Sequence, residues 1–262
     1  MNIIVCIKQV PGTSNVKVDP VTGVLIRDGV ESKMNPYDLF ALETALKLKE
    51  ENGGSVKVIT MGPPAAKDVL MEAIYMGADS GVLVSDRRFA GADVLATSRT
   101  LSSAIAASGD FDLVLCGKQT TDGDTAQVGA EIAEYMELPH FANVKSISVK
   151  DENKIAIVSE LGATVQSADV TLPCICCADA DINTPRLPSY KKKCQAKGNE
   201  ALIETLCLDD FKDNNPEHYG LSGSPTQVER IFPPEKNTDR TFVEGENAGS
   251  KVFEILKSKK FI

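Results

Sequence analysis

The sequence has no tryptophan, and only two histidines, His140 and His218, in 262 residues. That scarcity excludes a mechanism built on several imidazoles. No Ser-His-Asp set, no G-x-x-x-x-G-K and no G-x-G-x-x-G occurs, so independent side-chain catalysis and the two familiar phosphate-loop motifs are missing. A basic stripe is missing too. Asp and Glu number 37 against 28 Lys and Arg, a net charge of −9, which argues against a nucleic-acid or anionic-membrane binder. The N-terminal apolar run covers only Ile3 to Ile7, too short for a signal peptide or a spanning helix, so no membrane insertion is expected. Seven cysteines form no disulfide framework; free thiols and a cytoplasmic location follow. What is present is ordinary for a soluble globular chain, 42% hydrophobic and 25% charged.

The first half alternates. NIIVCIK (2–8), SVKVITMG (55–62), GVLVSD (81–86) and DLVLCG (112–117) read as buried strands. Between them NPYDLFALETALKLKEENGG, PAAKDVLMEAIYMGADSG and ADVLATSRTLSSAIAA (92–107) read as helices, with Asn35 as a cap and Pro36 at the first helical position. VKVDPVTGVLIRDGV (16–30) reads as a hairpin. The spacing predicts an α/β fold with a parallel sheet, and ligands beyond the carboxyl ends of its strands. KIAIVSE (154–160), ATVQSADV (163–170) and LPCICCAD (172–179) predict an antiparallel extension or edge. From 180 onward only AGSKVFEILKSKK (248–260) has a helical pattern. A long irregular stretch rarely stands alone on a compact domain, so residues 1–185 are expected as the nucleotide-binding domain and 186–262 as a docking loop and partner-wrapping arm.

GKQTTDGDTAQVGAEIAE (117–134) starts like a phosphate loop and ends like a helix, but carries Asp122 and Asp124 where a phosphate loop has a cation. A helix starting near Thr125, capped by Asp124 or Thr125, would aim the N–H groups of Thr125, Ala126, Gln127 and Val128 at an anion. Gly123 permits close approach of the backbone, and Gly129 leaves room for a ligand beside the helix. The aspartates fit as cap and as acceptors for ribose hydroxyls. Either the diphosphate of FAD or the monophosphate of AMP would satisfy such a site.

This stretch, together with CIKQV (6–10), VLIRDGVESKMNPYDLFALETAL (24–46), ITMGPPAA (59–66) and GADSGVLVSD (77–86), closely resembles the beta subunit of electron-transfer flavoproteins. The likeness runs from Met1 to about Arg186 and resumes at SGSPTQV (222–228). It implies an adenine nucleotide alpha hydrolase-like fold and an obligate heterodimer with an alpha subunit. Conventional members hold a structural AMP in the beta subunit. Electron-bifurcating members hold FAD there instead; it accepts hydride from NADH and sends one electron to ferredoxin or flavodoxin. The other electron passes through the alpha-subunit FAD to a flavin-dependent dehydrogenase of acyl-CoA, enoyl-CoA or hydroxy-acid type. VSD (84–86), DGDTAQVG and SGSPTQV look more like the bifurcating group. The family's nucleotide contacts would fall on Cys6, Asn35, Pro36, Tyr37, Asp38, Met61, Asp122, Gly123, Asp124, Thr125, Ala126, Gln127, Val128, Gly129, Ala130 and Ala133.

The loop LPSYKKKCQAK (187–197) departs from the conventional family pattern after Arg186. Leu187 and Tyr190 are candidate apolar anchors, and Lys191 to Lys193 could steer an acidic partner. In CICC (174–177), alternation puts Cys174 and Cys176 on one face and Cys177 on the other, which argues against a metal site. A stand-alone adenine-nucleotide sensor similar to universal stress proteins is the remaining alternative; the long C-terminal arm argues against it.

Overall fold

A computed structural model describes residues 1–12, 17–18, 25–26, 32–228, 240 and 242–262. Its first strand, β1 (Asn2–Cys6), is buried from Ile3 onward, as a strand covered on both faces must be. Four short strands follow. β2 (Gln9–Pro11) pairs antiparallel with β5 (Ser32–Met34), and β3 (Lys17–Val18) with β4 (Leu25–Ile26). The second pair is the expected hairpin; its Pro-Val-Thr-Gly turn lies outside the described residues.

The predicted alternation then appears in order: α1 (Pro36–Asn52), β6 (Ser55–Met61), α2 (Lys67–Met76), β7 (Ser80–Val84), α3 (Val94–Ala107), β8 (Leu113–Gly117) and α4 (Val128–Met136). Pro36 does open α1, and Gly77 closes α2 at φ 139°, a conformation that suits glycine. From β1 the chain steps outward to β6 and β7, with α1 and α2 packed on one face of the sheet. α3 then carries it back to the far side of β1, where β8 pairs parallel with β1. α3 and α4 cover the other face. Strand order therefore reverses between β1 and β8. In open α/β sheets that reversal leaves a crevice at the carboxyl ends of the two strands.

β9 (His140–Asp151), β10 (Lys154–Leu161) and β11 (Thr164–Thr171) form an antiparallel meander. β12 (Cys174–Ala178) corrects the expectation for the cysteine run. It is no antiparallel edge but lies inside the sheet, parallel to both β8 and β9. All five of its residues are buried, which only an interior strand covered on both faces achieves. Its alternation is as predicted, with Cys174 and Cys176 in one core and Cys177 in the other.

The stretch after residue 180 holds more structure than its periodicity suggests. α5 (Tyr190–Ala196) packs on α2, and β13 (Ile203–Leu206) pairs parallel with β7 as the far edge of the nine-stranded sheet. Leu206, Leu208, Phe211 and Tyr219 all enter the core beneath α3. α6 (Ala248–Ser258) buries none of its residues. No helix among the described residues is long and apolar enough to cross a membrane.

Candidate functional site

The crevice between β1 and β8 is where the candidate residues converge. Cys6, the last residue of β1, is the register partner of Cys116 on β8 and of Ile59 on β6. Met61 ends β6, half-buried, on the other side of β1. Asn35 opens α1 just after β5, and its backbone N–H donates to the Lys8 carbonyl at 2.8 Å.

Asn35 is fully buried and does not act as a side-chain cap. Its amide reaches across the crevice instead. Nδ2 donates to the Gln119 carbonyl at 2.9 Å, and Oδ1 accepts from the Thr121 N–H at 3.2 Å. One buried amide thus ties the start of α1 to the loop after β8. Pro36 and Tyr37 are half-buried beside it. Asp38 is buried, and its Oδ2 accepts from the Lys8 N–H at 2.7 Å. Burial pushes its carboxyl up to about 7, against the opposing pull of the Asn35 amide, the Lys8 N–H and charge and the Gly117 N–H.

The loop itself differs from expectation in where its helix begins. α4 starts at Val128, not near Thr125, and neither aspartate caps it. Asp124 and Ala126 both adopt left-handed backbone, φ 55°, and a chain that alternates hand cannot yet be helical. The Asp122 carboxylate is held by Lys8 Nζ at 2.7 Å and by the Gly123 N–H at 2.8 Å. Desolvation alone would raise its pKa, but Lys8 and these hydrogen bonds outweigh it and hold the carboxyl below its ordinary value. Asp124 accepts from Gln119 Nε2 at 2.5 Å. The two carboxylates that would repel a phosphate are thereby turned onto protein donors.

The alternation of hand has a second effect. Among the described residues, nothing accepts a hydrogen bond from the backbone N–H of Thr125, Ala126, Gln127 or Val128, nor from Gly129 or Ala130. The last three belong to the first turn of α4, where orphan donors are the rule. The first three precede it, in the irregular conformation that gathers successive N–H groups into an anion-binding concavity. Thr125, Ala126, Gln127 and Ala130 are exposed.

Two residues face elsewhere. Gly129 does not leave room for a ligand: a Cβ there would collide with Cys177 Sγ and stand 3.6 Å from Cys116 Cβ. Its lack of a side chain lets α4 sit directly on β8 and β12. Ala133, one turn on, is buried against the same sheet face.

Residues 22–206 match the electron transfer flavoprotein domain family. The chain belongs to the electron transfer flavoprotein family. Its relatives include beta subunits of that family. It is 44% identical to the electron transfer flavoprotein subunit beta of Thermoanaerobacterium thermosaccharolyticum, over 92% of this chain and 90% of that one. It is 43% identical, over the full length of both chains, to the subunit beta of Clostridium acetobutylicum. The same identity over full length holds for the caffeyl-CoA reductase-Etf complex subunit CarD of Acetobacterium woodii. The resemblance and the α/β fold read from the sequence are therefore correct.

In this flavoprotein subunit, two residues at these strand ends shape the crevice without being among the expected nucleotide contacts. Lys8 joins three parts of it, through its N–H to Asp38, its carbonyl to Asn35 and its ammonium to Asp122. Gly117 admits the Asp38 carboxyl, since a Cβ there would run into Asp38 Oδ1. Lys8 lies in the quoted CIKQV and Gly117 opens the quoted loop, but nothing in one sequence marks either as a joint. Cys6, Cys116 and Cys177 also fall side by side on adjacent strands, a row that their sequence spacing hides. Hydrogen bonding to Cys116 and burial hold the Cys177 thiol well above the usual range, so it stays protonated as a packing group.

The residues expected to dock a partner lie on a segment anchored at two points. Arg186 pairs with buried Glu43 at 2.8 Å and with Glu50, both on α1. The Ser189 N–H donates to the Tyr75 carbonyl at 2.9 Å. Between these anchors Leu187 is 87% exposed; just beyond the second, at the start of α5, Tyr190 is 80% exposed, with Lys191 exposed beside it.

Proposed function

We propose that this chain is the nucleotide-holding beta subunit of a heterodimeric, electron-bifurcating electron transfer flavoprotein, and that it binds FAD in the crevice between β1 and β8. The observation that carries this reading is the run of amides from Thr125 to Ala130 that find no acceptor among the described residues, set at the strand-order reversal with Asp122 and Asp124 already paired. Backbone donors in that arrangement suit a phosphate without a cationic side chain. Bound there, FAD would supply hydride acceptance from NADH and single-electron delivery to ferredoxin or flavodoxin and, through the alpha-subunit FAD, to a dehydrogenase.

The chain's own residues supply binding and docking. The amides of Thr125 to Val128 hold the phosphate, with Asp122 and Gly123 at the rim. Cys6 and Met61 line the floor at the ends of β1 and β6. Leu187 and Tyr190, with Lys191, form an exposed apolar and cationic contact for the partner dehydrogenase. The relative named for a caffeyl-CoA reductase complex supports an acyl-CoA-type partner. The arm around α6 lies on the alpha subunit, which covers its apolar side.

The test is nucleotide content of the complex purified with its alpha subunit. Two FAD, no AMP and bleaching by NADH are expected. One FAD with one AMP would reduce this chain to a conventional scaffold, and no nucleotide in this chain would overturn the site. Thr125→Asp sets a carboxylate against the amides. It should lower nucleotide occupancy of this chain at least about tenfold, the effect of roughly 1.4 kcal/mol.

A further inference from the structure

Asp38 is the one carboxyl of the crevice that no surface role explains. It is 5% exposed and its Oδ2 is 2.7 Å from the Lys8 N–H. Gly117 is shaped around it: besides meeting Oδ1, a Cβ there would stand 2.7 Å from the Tyr37 carbonyl carbon and 2.8 Å from the Asp38 nitrogen. Such contacts admit only glycine without a backbone shift. A carboxyl this enclosed therefore has its position fixed from three sides at once, by the segment that follows β1, the start of α1 and the end of β8.

What Asp38 fixes in turn is Lys8. The Lys8 N–H is bound by Asp38 and its carbonyl by the Asn35 N–H, so both backbone groups of the residue are committed to the start of α1. The side chain of the same lysine then reaches the rim, where Nζ pairs with Asp122, whose Oδ1 also takes the Gly123 N–H. A continuous chain of polar contacts runs from the buried carboxyl to the loop that carries the amide cradle. Among the described residues, the titratable groups facing Asp38 include Lys8 from the segment between β1 and β2 and the Cys116 thiol from β8. Asp122 stands behind Lys8.

We propose that Asp38 is a positioning residue of the nucleotide site, acting through Lys8 on the Asp122–Gly123 rim, and that nucleotide binding draws a proton onto its carboxyl. The proposal rests on the nucleotide reading above. Its physical basis is charge. A phosphate placed on the cradle brings negative charge into a crevice that already encloses a carboxyl shielded from water, and a like charge favours the neutral form. Burial already brings Asp38 to the edge of ionisation near neutral pH, so this modest push suffices. By linkage, a ligand that binds together with a proton binds more weakly as pH rises, by up to about tenfold per pH unit once the free site has ionised. Asp38 touches no nucleotide in this account, in contrast to the contact expected of it from the family resemblance.

The experiment is calorimetric titration of FAD into the full-length chain in complex with its alpha subunit, from about pH 6 to 9, in two buffers of different ionisation enthalpy. FAD is the probe because its diphosphate does not titrate in that range. AMP is run beside it, with the difference between wild type and variant cancelling its own phosphate titration. Wild type should lose affinity above about pH 7 and take up a fraction of a proton per nucleotide. Asp38→Asn, permanently neutral, should bind at pH 9 as tightly as wild type does at pH 6, with the Asp38-linked proton uptake gone. Lys8→Met removes a charge that favours ionised Asp38, and should move the wild-type midpoint to higher pH. The Lys8 side chain is 44% exposed, so this second variant tests the idea even if Asp38→Asn fails to fold. A flat wild-type profile, an Asp38→Asn profile like wild type, or an unmoved Lys8→Met midpoint overturns the positioning role while leaving the nucleotide site standing. Failure of wild type to bind FAD or AMP in this chain at any pH overturns the nucleotide reading, and this proposal with it.

Discussion

α1 and α6 are both amphiphilic in composition, yet they are attached by opposite means. α1 buries Ala41, Leu42, Ala45, Leu46 and Leu48, and even Asp38 and Glu43. α6 buries nothing, and Val252, Phe253, Ile255 and Leu256 stand in solvent along it. An eleven-residue helix is marginal in water on propensity alone. The apolar residues of α6 therefore make sense against a surface that the described residues do not supply, whereas α1 is completed by its own sheet. The segment from β13 to Gln227 is intermediate. It enters the core through Leu206, Phe211 and Tyr219, but is also clamped by ion pairs from Arg88 to Asp209 and from Arg99 to Asp213. The three regions form a gradient from fold to interface.

The largest expected effect lies at the α1 end. Leu42 is fully buried, and Leu42→Ala should cost about 3 kcal/mol, from lost transfer energy and the cavity left behind. Leu256→Ala on the isolated chain should stay within about 0.5 kcal/mol, as for an exposed substitution. Urea unfolding of the two variants measures both. A loss above about 2 kcal/mol at Leu256 would show that α6 packs on its own chain and would end the contrast.

The middle of the gradient is tested at Tyr219. Its ring sits 5.8 Å from Phe89 and 5.9 Å from Phe211, and its hydroxyl donates to the Asp213 carbonyl at 2.6 Å. Tyr219→Phe keeps the aromatic packing and removes that bond together with the hydroxyl's 3.2 Å contact to Ser103 Oγ. The expected loss is about 1 kcal/mol, well below that at Leu42. An equal loss would place this segment with the core.

The same gradient decides what could be read from sequence. Strands β1, β6, β7 and β8 announce themselves because burial on both faces demands unbroken apolar runs. α1 announces itself through Asn35-Pro36 and its closing glycines. β13 does not, because two of its four residues are exposed and its pairing with β7 is a long-range fact. The interior place of β12 is likewise a matter of topology, although its five consecutive buried residues are the pattern of a central strand. In the candidate site, the loop and its amides were legible from Gly123 and the helix that follows. The true start of α4 was not, because Ala126 gives no signal of left-handed backbone. Gly129 was misjudged for a related reason. A glycine reads the same whether its missing side chain makes room for a ligand or for Cys177 Sγ.

The smallest expected effect separates two aspartates at different points of the gradient. Asp38, on α1, has a folded pKa raised to about 7 by burial. It therefore favours the fold most when protonated, and its contribution declines as pH rises from about 4 to about 7. Asp213 behaves in the opposite sense. The His218 ring at 2.8 Å, and Arg99 at 2.7 Å, hold its carboxyl down at about 2. Its folded value lies below its unfolded one, so its stabilisation is complete above about pH 4 and is lost as pH falls toward 2. Asp213 is 40% exposed, and solvent screening keeps the effect under about 1 kcal/mol. Asp213→Asn should remove this acid-side dependence and leave the decline between pH 4 and 7 untouched, while Asp38→Asn should do the reverse. Urea midpoints across the two pH windows distinguish them. If Asp213→Asn instead flattened the neutral window, the ion-pair clamp would be coupled to the crevice, and the gradient would be one cooperative unit.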